Sequence, residues 1–210
     1  MTLIANQVLA SARGPAERPG HDPRLILVTS ARPGEGKSFT ALNLAAGLAL
    51  GAGRSVLLVD ADGKRGCLSD LLGLSTMPGL RDLATDPSRR AQPLALPTAH
   101  ARLSFLAYGT LAEGRTVPSQ SLAVAVRGLG TAFPQHLIII DSPPCLSASE
   151  ASILANVVGQ VLMVVQAEQT QRGEVEAALD LVQVCPNLQL VLNGTTMSPK
   201  DTFGAYDYGS

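Results

Sequence analysis

A short run of residues in this chain has the composition of a phosphate-binding loop and follows the apolar stretch Leu-Ile-Leu-Val. Residues 30–40 read Ser-Ala-Arg-Pro-Gly-Glu-Gly-Lys-Ser-Phe-Thr. Gly34 and Gly36 allow a tight backbone turn whose N–H groups point at phosphate oxygens. Lys37 supplies a cation and Ser38 supplies a hydroxyl for Mg²⁺. The pattern predicts a phosphate cradle between a strand and a helix whose dipole also attracts the anion.

One position departs from the usual eight-residue P-loop pattern, because its first glycine is Ala31 here. The alternative interpretation is a glycine-containing turn between strand and helix with an exposed lysine. The phosphate site is favoured because the strand, the turn, Gly-Lys-Ser and an amphipathic helix occur in register.

Carboxylates follow two further apolar runs that are typical of buried parallel strands. Asp60 and Asp62 follow Ser55–Val59, and Asp141 follows Leu137–Ile140. The carboxyl ends of parallel strands lie at the edge where open α/β sheets bind ligands. Asp60 and Asp62 project to the same side if the strand geometry continues, and Asp141 fits a residue that orders the Mg²⁺ shell. Each could instead end its strand in a turn or helix cap.

Composition and charge limit the possible functions. The 210 residues suit one sizeable α/β domain with an aliphatic core, since 46% are hydrophobic and 3% aromatic. The net charge of −1 argues against extensive nucleic-acid binding. Cys67, Cys145 and Cys185 have no zinc or CxxC spacing and are expected to stay reduced. No apolar run approaches the roughly 20 residues of a membrane span, so we expect a cytoplasmic protein.

Sequence patterns typical of strands and helices alternate along the chain. These elements must position the P-loop and the aspartates. The patterns predict a P-loop NTPase-type three-layer α/β fold, with a mostly parallel central sheet and helices on both faces. Residues 1–23 are predicted to be a flexible N-terminal lead-in, and residues 198–210 a flexible tail. The later elements are expected as a looser stretch over 68–97, strands at 103–107, 137–140, 161–166 and 188–192, and helices at 119–133, 149–157 and 173–184.

With these motifs in place, the chain resembles the bacterial tyrosine kinases (BY-kinases), the autokinases of capsule and exopolysaccharide export. Within that family it most resembles the stand-alone kinases of exosortase-associated exopolysaccharide clusters. The resemblance extends over residues 24–208. Residues 28–38 match the Walker A motif, 56–62 Walker A′ and 138–144 Walker B, and 191–193 match the late strand and its Asn.

The resemblance implies a kinase domain over residues 24–197 that uses ATP and Mg²⁺. Lys37 would contact the β- and γ-phosphates, and Asp60 and Asp62 would face the tyrosine hydroxyl and the metal. Asn193 would touch the adenine, although it equally suits a strand that ends in a turn with Gly194. The implied ATP contacts are Pro33, Gly34, Glu35, Gly36, Lys37, Ser38, Phe39 and Asn193, the catalytic residues are Lys37, Asp60 and Asp62, and the Mg²⁺ residues are Ser38, Asp60 and Asp141.

The resemblance also implies the substrate and the partners. Tyr206 and Tyr208 in the tail would be phosphorylated in trans within a homo-oligomer. A separate membrane protein, the chain-length determinant of polysaccharide export, would activate the kinase and supply its membrane association. Two departures from the family pattern are Lys64 in place of Arg and a tyrosine cluster reduced to these two residues.

A non-kinase switch is the alternative hypothesis. Partitioning and cell-division ATPases carry, at the position of Arg32, a lysine that reaches the partner's nucleotide. A degenerate kinase could likewise act as an ATP-gated scaffold. Phosphotyrosine on the purified protein distinguishes these hypotheses from an autokinase.

Overall fold

The strands form one sheet with the order β3-β4-β2-β5-β1-β6-β7 in the computed structural model, which describes residues 2–110 and 117–195. Each neighbouring pair is parallel except β3 with β4. This arrangement confirms the predicted P-loop NTPase-type fold with a mostly parallel sheet. The strands are β1 Asp22–Ser30, β2 Val56–Asp60, β3 Leu96–Pro97, β4 Leu103–Leu106, β5 Leu137–Asp141, β6 Val158–Gln166 and β7 Asn187–Asn193.

Helices cover both faces of the sheet. The side chains of α1, α2 and α3 enter one apolar cluster, and those of α4 to α7 enter the other. None of the helices in the described residues has the length and apolar character to span a bilayer. The helices are α1 Thr2–Arg13, α2 Lys37–Ala46, α3 Leu68–Leu71, α4 Leu80–Thr85, α5 Ser119–Ala132, α6 Glu150–Leu154 and α7 Arg172–Val182, and a π-helical turn, Gly47–Gly51, continues α2.

The central strands contain continuous apolar runs because both of their faces are covered. In β1, Leu25 and Leu27 belong to one cluster, whereas Ile26 and Val28 belong to the other. Successive strand side chains point to opposite faces of a sheet, so a strand buried on both sides carries a continuous apolar run. The same geometry brings the ends of β1, β2 and β5 to one edge.

The N-terminal segment corrects the prediction of a flexible lead-in over residues 1–23. Residues 2–13 form α1, and its Val8 is fully buried. The buried side chain of Gln160 on β6 donates hydrogen bonds to the carbonyl oxygens of Val8 (3.2 Å) and Pro23 (2.7 Å). The Gly- and Pro-rich residues that follow suggest flexibility, but the apolar residues before them recur at helical spacing. Those that enter the core cluster are Ile4, Ala5, Val8, Leu9 and Ala12.

The stretch over 68–97, predicted to be looser, contains four short elements: α3, α4, a 3₁₀ helix at Gln92–Leu94 and β3. Leu80 and Leu83 of α4 are buried in the core cluster. The backbone N–H of Leu80 donates to the carbonyl oxygen of Ala107 at 2.9 Å, which ties α4 to the segment after β4. Elements this short have too few turns to show a clear helical period.

Candidate nucleotide and phosphotransfer site

The Walker A loop connects β1 to α2 at the carboxyl edge of the sheet. Gly34 and Gly36 both have a φ of 89°, in the left-handed region that favours glycine. A Cβ atom on Gly36 would lie 2.2 Å from Nδ2 of Asn193, so another residue would strain the backbone and displace that amide. Helix α2 begins at Lys37 with no side-chain cap. Its first amide groups can therefore serve an anion.

Lys37 lies at the centre of a cluster of polar side chains. Its ammonium forms an ion pair with Oδ2 of Asp62 and lies 3.8 Å from Oδ1 of Asp141. It also donates to Oγ of Ser38 at 3.2 Å. The side chain of Lys37 is only 12% exposed. The structure thus brings together four of the site residues that the sequence predicts, from the P-loop and from the ends of β2 and β5.

Asp141 is a fully buried carboxylate at the end of β5. Among the described residues, neither of its oxygens has a hydrogen-bond partner. Burial raises the pKa of Asp141 to about 7, and the nearby Lys37 ammonium opposes that rise. A buried carboxylate without hydrogen bonds is costly when it is ionised, so its oxygens suit a cation that arrives with the substrate.

Asp60 has a different environment, although it pairs in register with Asp141 on the neighbouring strand. Its Oδ1 accepts a hydrogen bond from the backbone N–H of Asp62 at 3.0 Å. Its Oδ2 accepts from the N–H and the hydroxyl of Ser69, at 2.7 and 2.6 Å. These hydrogen bonds stabilise the conformation of the loop that carries Asp62. The predicted contact of Asp60 with metal and acceptor stays a prediction, since both of its oxygens bind protein groups here.

Glu35 and Asn193 stabilise the P-loop through hydrogen bonds. Glu35 is 3% exposed, and its carboxylate accepts hydrogen bonds from the Arg32 N–H at 2.7 Å and from the Thr170 hydroxyl. Asn193 donates from Nδ2 to the carbonyl oxygen of Glu35 at 3.0 Å. Because the Glu35 side chain is occupied by these hydrogen bonds, only its backbone N–H is free to contact a phosphate. The adenine contact predicted for Asn193 stays a prediction. Sequence reasoning missed Thr170, which lies outside every motif.

Arg32 pairs within its own chain. Its guanidinium lies 3.3 Å from Oε1 of Glu174 at the start of α7, and its side chain is 56% exposed. The alternative hypothesis assigns Arg32 a contact with a partner's nucleotide. The observed pair gives the residue an intramolecular role instead.

Two open cavities flank the P-loop, and Pro33 and Gly34 line both of them. The first, of about 320 Å³, lies on the Asp62 side, and the aromatic ring of Phe39 lines it. The second, of about 430 Å³, lies on the Thr170 side. A nucleotide whose phosphates occupy the loop can extend into either space. The first cavity is lined by Pro33, Gly34, Gly36, Lys37, Ser38, Phe39, Asp62, Lys64, Arg65, Gly66, Cys67 and Pro144.

The predicted phosphate acceptors Tyr206 and Tyr208 lie outside the described residues. The third tyrosine, Tyr108, follows β4 and is partly buried, and burial raises its pKa. The guanidinium of Arg81 lies 4.9 Å from its ring centroid. A Cβ atom on Gly63 would lie 2.0 Å from the same ring, so Tyr108 packs against the Walker A′ loop.

All three cysteines are buried thiols without disulfide bonds. Burial raises the pKa of Cys67 and of Cys185 to about 11 and also raises that of Cys145. The thiolate is the reactive form, so none of the three is activated as a nucleophile.

The fold and the loop define a P-loop NTPase, and comparisons with known proteins identify the family. No protein-family model matches the chain. The putative tyrosine-protein kinase EpsB of Ralstonia nicotianae is 34% identical over 188 residues, which cover 88% of this chain and 24% of EpsB. The chain thus spans about a quarter of that relative's length.

Solved kinase domains give matches over most of their length. The BceF tyrosine kinase domain is 30% identical, with a TM-score of 0.62, and the match covers 81% of this chain and 69% of that one. The kinase domain of the Escherichia coli tyrosine kinase ETK is 27% identical, with a TM-score of 0.70, covering 89% and 72%. The chain belongs to the bacterial tyrosine kinase (BY-kinase) family.

The comparisons do not favour the alternative of a partitioning or cell-division ATPase. Four solved structures of that kind are between 17% and 21% identical to the chain, so they show the shared fold alone.

Proposed function

We propose that the protein is a Mg-ATP-dependent protein-tyrosine autokinase that regulates exopolysaccharide or capsule biosynthesis and export. The observation that carries this proposal is the placement of Lys37 at the P-loop, between Asp62 and the orphaned carboxylate of Asp141. Membership in the BY-kinase family supports the same function.

The nucleotide phosphates would bind to the backbone of the P-loop and to the start of α2. Their negative charge would compete with Asp62 for the Lys37 ammonium, which then contacts the β- and γ-phosphates. The Ser38 hydroxyl and the Asp141 carboxylate lie close together and fit a magnesium ion, because among the described residues neither oxygen of Asp141 forms a hydrogen bond of normal length. In the described residues, no group of three or more acidic, His or Cys side chains could hold a metal by itself. A magnesium ion would therefore bind mainly to the phosphates of the nucleotide, where it would neutralise their charge.

The release of Lys37 would leave Asp62 free to accept a hydrogen bond from the acceptor hydroxyl. In the transfer, the bond from the γ-phosphorus to the β,γ-bridging oxygen breaks, a bond to the tyrosine oxygen forms, and ADP leaves. The Asp62 carboxylate orients the acceptor through this hydrogen bond. The hydroxyl proton passes along the same bond to the carboxylate late, as the bond to phosphorus forms, which suits the loose transition state of phosphoryl transfer.

Tyr206 and Tyr208 are the proposed acceptors, phosphorylated in trans within a homo-oligomer. A separate membrane chain-length-determinant protein is the proposed activator, and it holds this cytoplasmic chain at the inner membrane.

The test is a phosphotyrosine map of the purified chain after incubation with Mg-ATP, with the activator's cytoplasmic segment added in a second series. We expect phosphate on Tyr206 and Tyr208, and none in Lys37→Met or in the presence of EDTA. A charge-assisted contact contributes roughly 1.5–3 kcal/mol to binding, and a contact that strengthens in the transition state contributes more to the rate. Near-normal phosphotyrosine in Lys37→Met would refute the P-loop assignment. ATP hydrolysis without phosphotyrosine would favour the ATPase switch.

A further inference from the structure

We propose that Lys64 and Arg65 select acceptor tyrosines that have an acidic neighbour, and that they recognise Asp207 between Tyr206 and Tyr208. This inference rests on the proposed kinase function. It assigns the choice of substrate to two residues that have no role in the phosphotransfer steps proposed above.

Lys64 and Arg65 lie directly beside the proposed chemistry. Both line the 320 Å³ cavity that contains Lys37 and Asp62, and both side chains are exposed. In the part of the chain that the structure describes, the ion pairs within 4.0 Å involve neither of them. They are therefore available to a ligand that enters this cavity.

The backbone holds this pair of cations on a fixed turn. Gly63 precedes it with a φ of 62°, and Gly66 follows it with a φ of 79°. The close contact between Gly63 and the Tyr108 ring fixes one end of the turn. The hydrogen bonds from Ser69 to the Asp60 carboxylate fix the segment that follows. The two side chains thus extend from a positioned base, which lowers the entropy lost when they bind.

The charges inside the cavity differ from those at its rim. The Lys37 ammonium is paired with Asp62 and lies 3.8 Å from Asp141, so the deep part of the cavity contains both signs. The rim carries Lys64 and Arg65, which are both positive. A segment whose aromatic ring enters beside Phe39 would leave its neighbouring residues at this positive rim. The rim therefore favours an acidic neighbour.

The tail sequence has the matching pattern. Residues 201–210 contain two Asp and no Lys or Arg. Asp207 adjoins both tyrosines, and neighbouring Cα atoms are only about 3.8 Å apart. Whichever tyrosine enters the cavity, the same carboxylate remains within reach of the long rim side chains. Tyr108, by contrast, lies between Ala107 and Gly109 and has no such neighbour.

The experiment measures initial rates of autophosphorylation of the full chain, mapped by mass spectrometry. Exposed ion pairs are weak, so the loss of the Asp207 charge from one or both cations in Asp207→Asn should lower tail phosphorylation about 2- to 10-fold, and Asp207→Lys should lower it further. The matched control is Asp201→Lys, which makes the same charge change farther from the tyrosines. Its rate should stay within about twofold of the unmodified chain.

Exchanging the charges of the two partners distinguishes recognition of the tail by Lys64 and Arg65 from an effect of these residues on folding. Lys64→Glu combined with Arg65→Glu should lower the rate with the natural tail, and adding Asp207→Lys should restore at least part of it. A role in folding or in ATP binding predicts no such rescue. Equal rates for Asp207→Asn and the unmodified chain, or loss without rescue, would overturn this inference and leave the kinase function intact. If the unmodified chain carries no phosphotyrosine in its tail, the acceptor assignment of the proposed function fails as well.

Discussion

The substitution Asp141→Asn should make the nucleotide-free protein more stable at alkaline pH, although it removes a proposed Mg²⁺ contact. Burial raises the pKa of this carboxyl from its ordinary 3.8 to about 7, so the folded chain binds a proton that the unfolded chain releases. The stability that this proton confers is complete below about pH 4 and is lost as pH rises through 7.

The size of the effect follows from the same values. A rise from 3.8 to about 7, at 1.36 kcal/mol for each pKa unit, corresponds to roughly 4 kcal/mol as an upper limit. The unmodified protein should lose on the order of 2–3 kcal/mol of unfolding free energy through this group between pH 5 and pH 8, because part of the loss has already occurred below pH 5. Asp141→Asn should not show that loss, because the amide cannot ionise.

The assay is urea denaturation of both proteins at pH 5 and pH 8, without nucleotide or divalent metal. The difference between the two proteins at each pH isolates Asp141 from other titrating groups. The matched control is Asp60→Asn, the same change on the residue that pairs with Asp141 in register. Asp60 accepts three hydrogen bonds from protein groups, so its substitution should destabilise the fold at both pH values, by about 2–4 kcal/mol.

One outcome would refute this reasoning. If Asp141→Asn lowers the stability at pH 8 as much as Asp60→Asn does, then the protein itself satisfies the Asp141 carboxylate. The proposed cation contact would then lose its main structural support.

Three further substitutions test separate parts of the site and the fold. Asp62→Asn should leave ATP affinity within a few fold while phosphotransfer falls at least about 100-fold; a variant that fails to fold would instead make Asp62 a structural residue. Gly36→Ala should reduce ATP binding, measured by calorimetry, because its φ is 89° and the added methyl meets Asn193; unchanged affinity would contradict the described loop. Val8→Ala should lower the free energy of unfolding by about 1–3 kcal/mol because Val8 is fully buried. The matched control Leu3→Ala removes an exposed side chain from the same helix, and an equal effect would contradict the docking of α1.

The sheet and the positions of the site groups could be predicted because each depends on a local pattern. The strands that carry Asp60 and Asp141 are continuous apolar runs, and a parallel sheet brings their ends to one edge. The glycines around Glu35 encode the turn of the P-loop directly. The sequence alone therefore predicts that Lys37, Asp62 and Asp141 lie at one edge of the sheet.

The directions of individual side chains could not be predicted, because they depend on partners distant in sequence. Glu35 turns inward to a hydroxyl of Thr170, which has no sequence signature. Asp60 is bound by Ser69, nine residues later, through the short helix α3. Helix α1 is followed by a Gly- and Pro-rich segment typical of flexible chain, and its docking depends on Gln160, which is distant in sequence.

The most direct test of the central claim, tyrosine phosphorylation in trans, mixes two chains. One carries Lys37→Met with an intact tail, and the other is active but carries Tyr206→Phe and Tyr208→Phe. After incubation with labelled Mg-ATP and the activator segment, we predict phosphotyrosine on the tail of the Lys37→Met chain. Label confined to the Phe-tailed chain, at Tyr108 or elsewhere, would contradict the tail assignment. Hydrolysis of ATP with no phosphotyrosine on either chain would contradict the kinase itself.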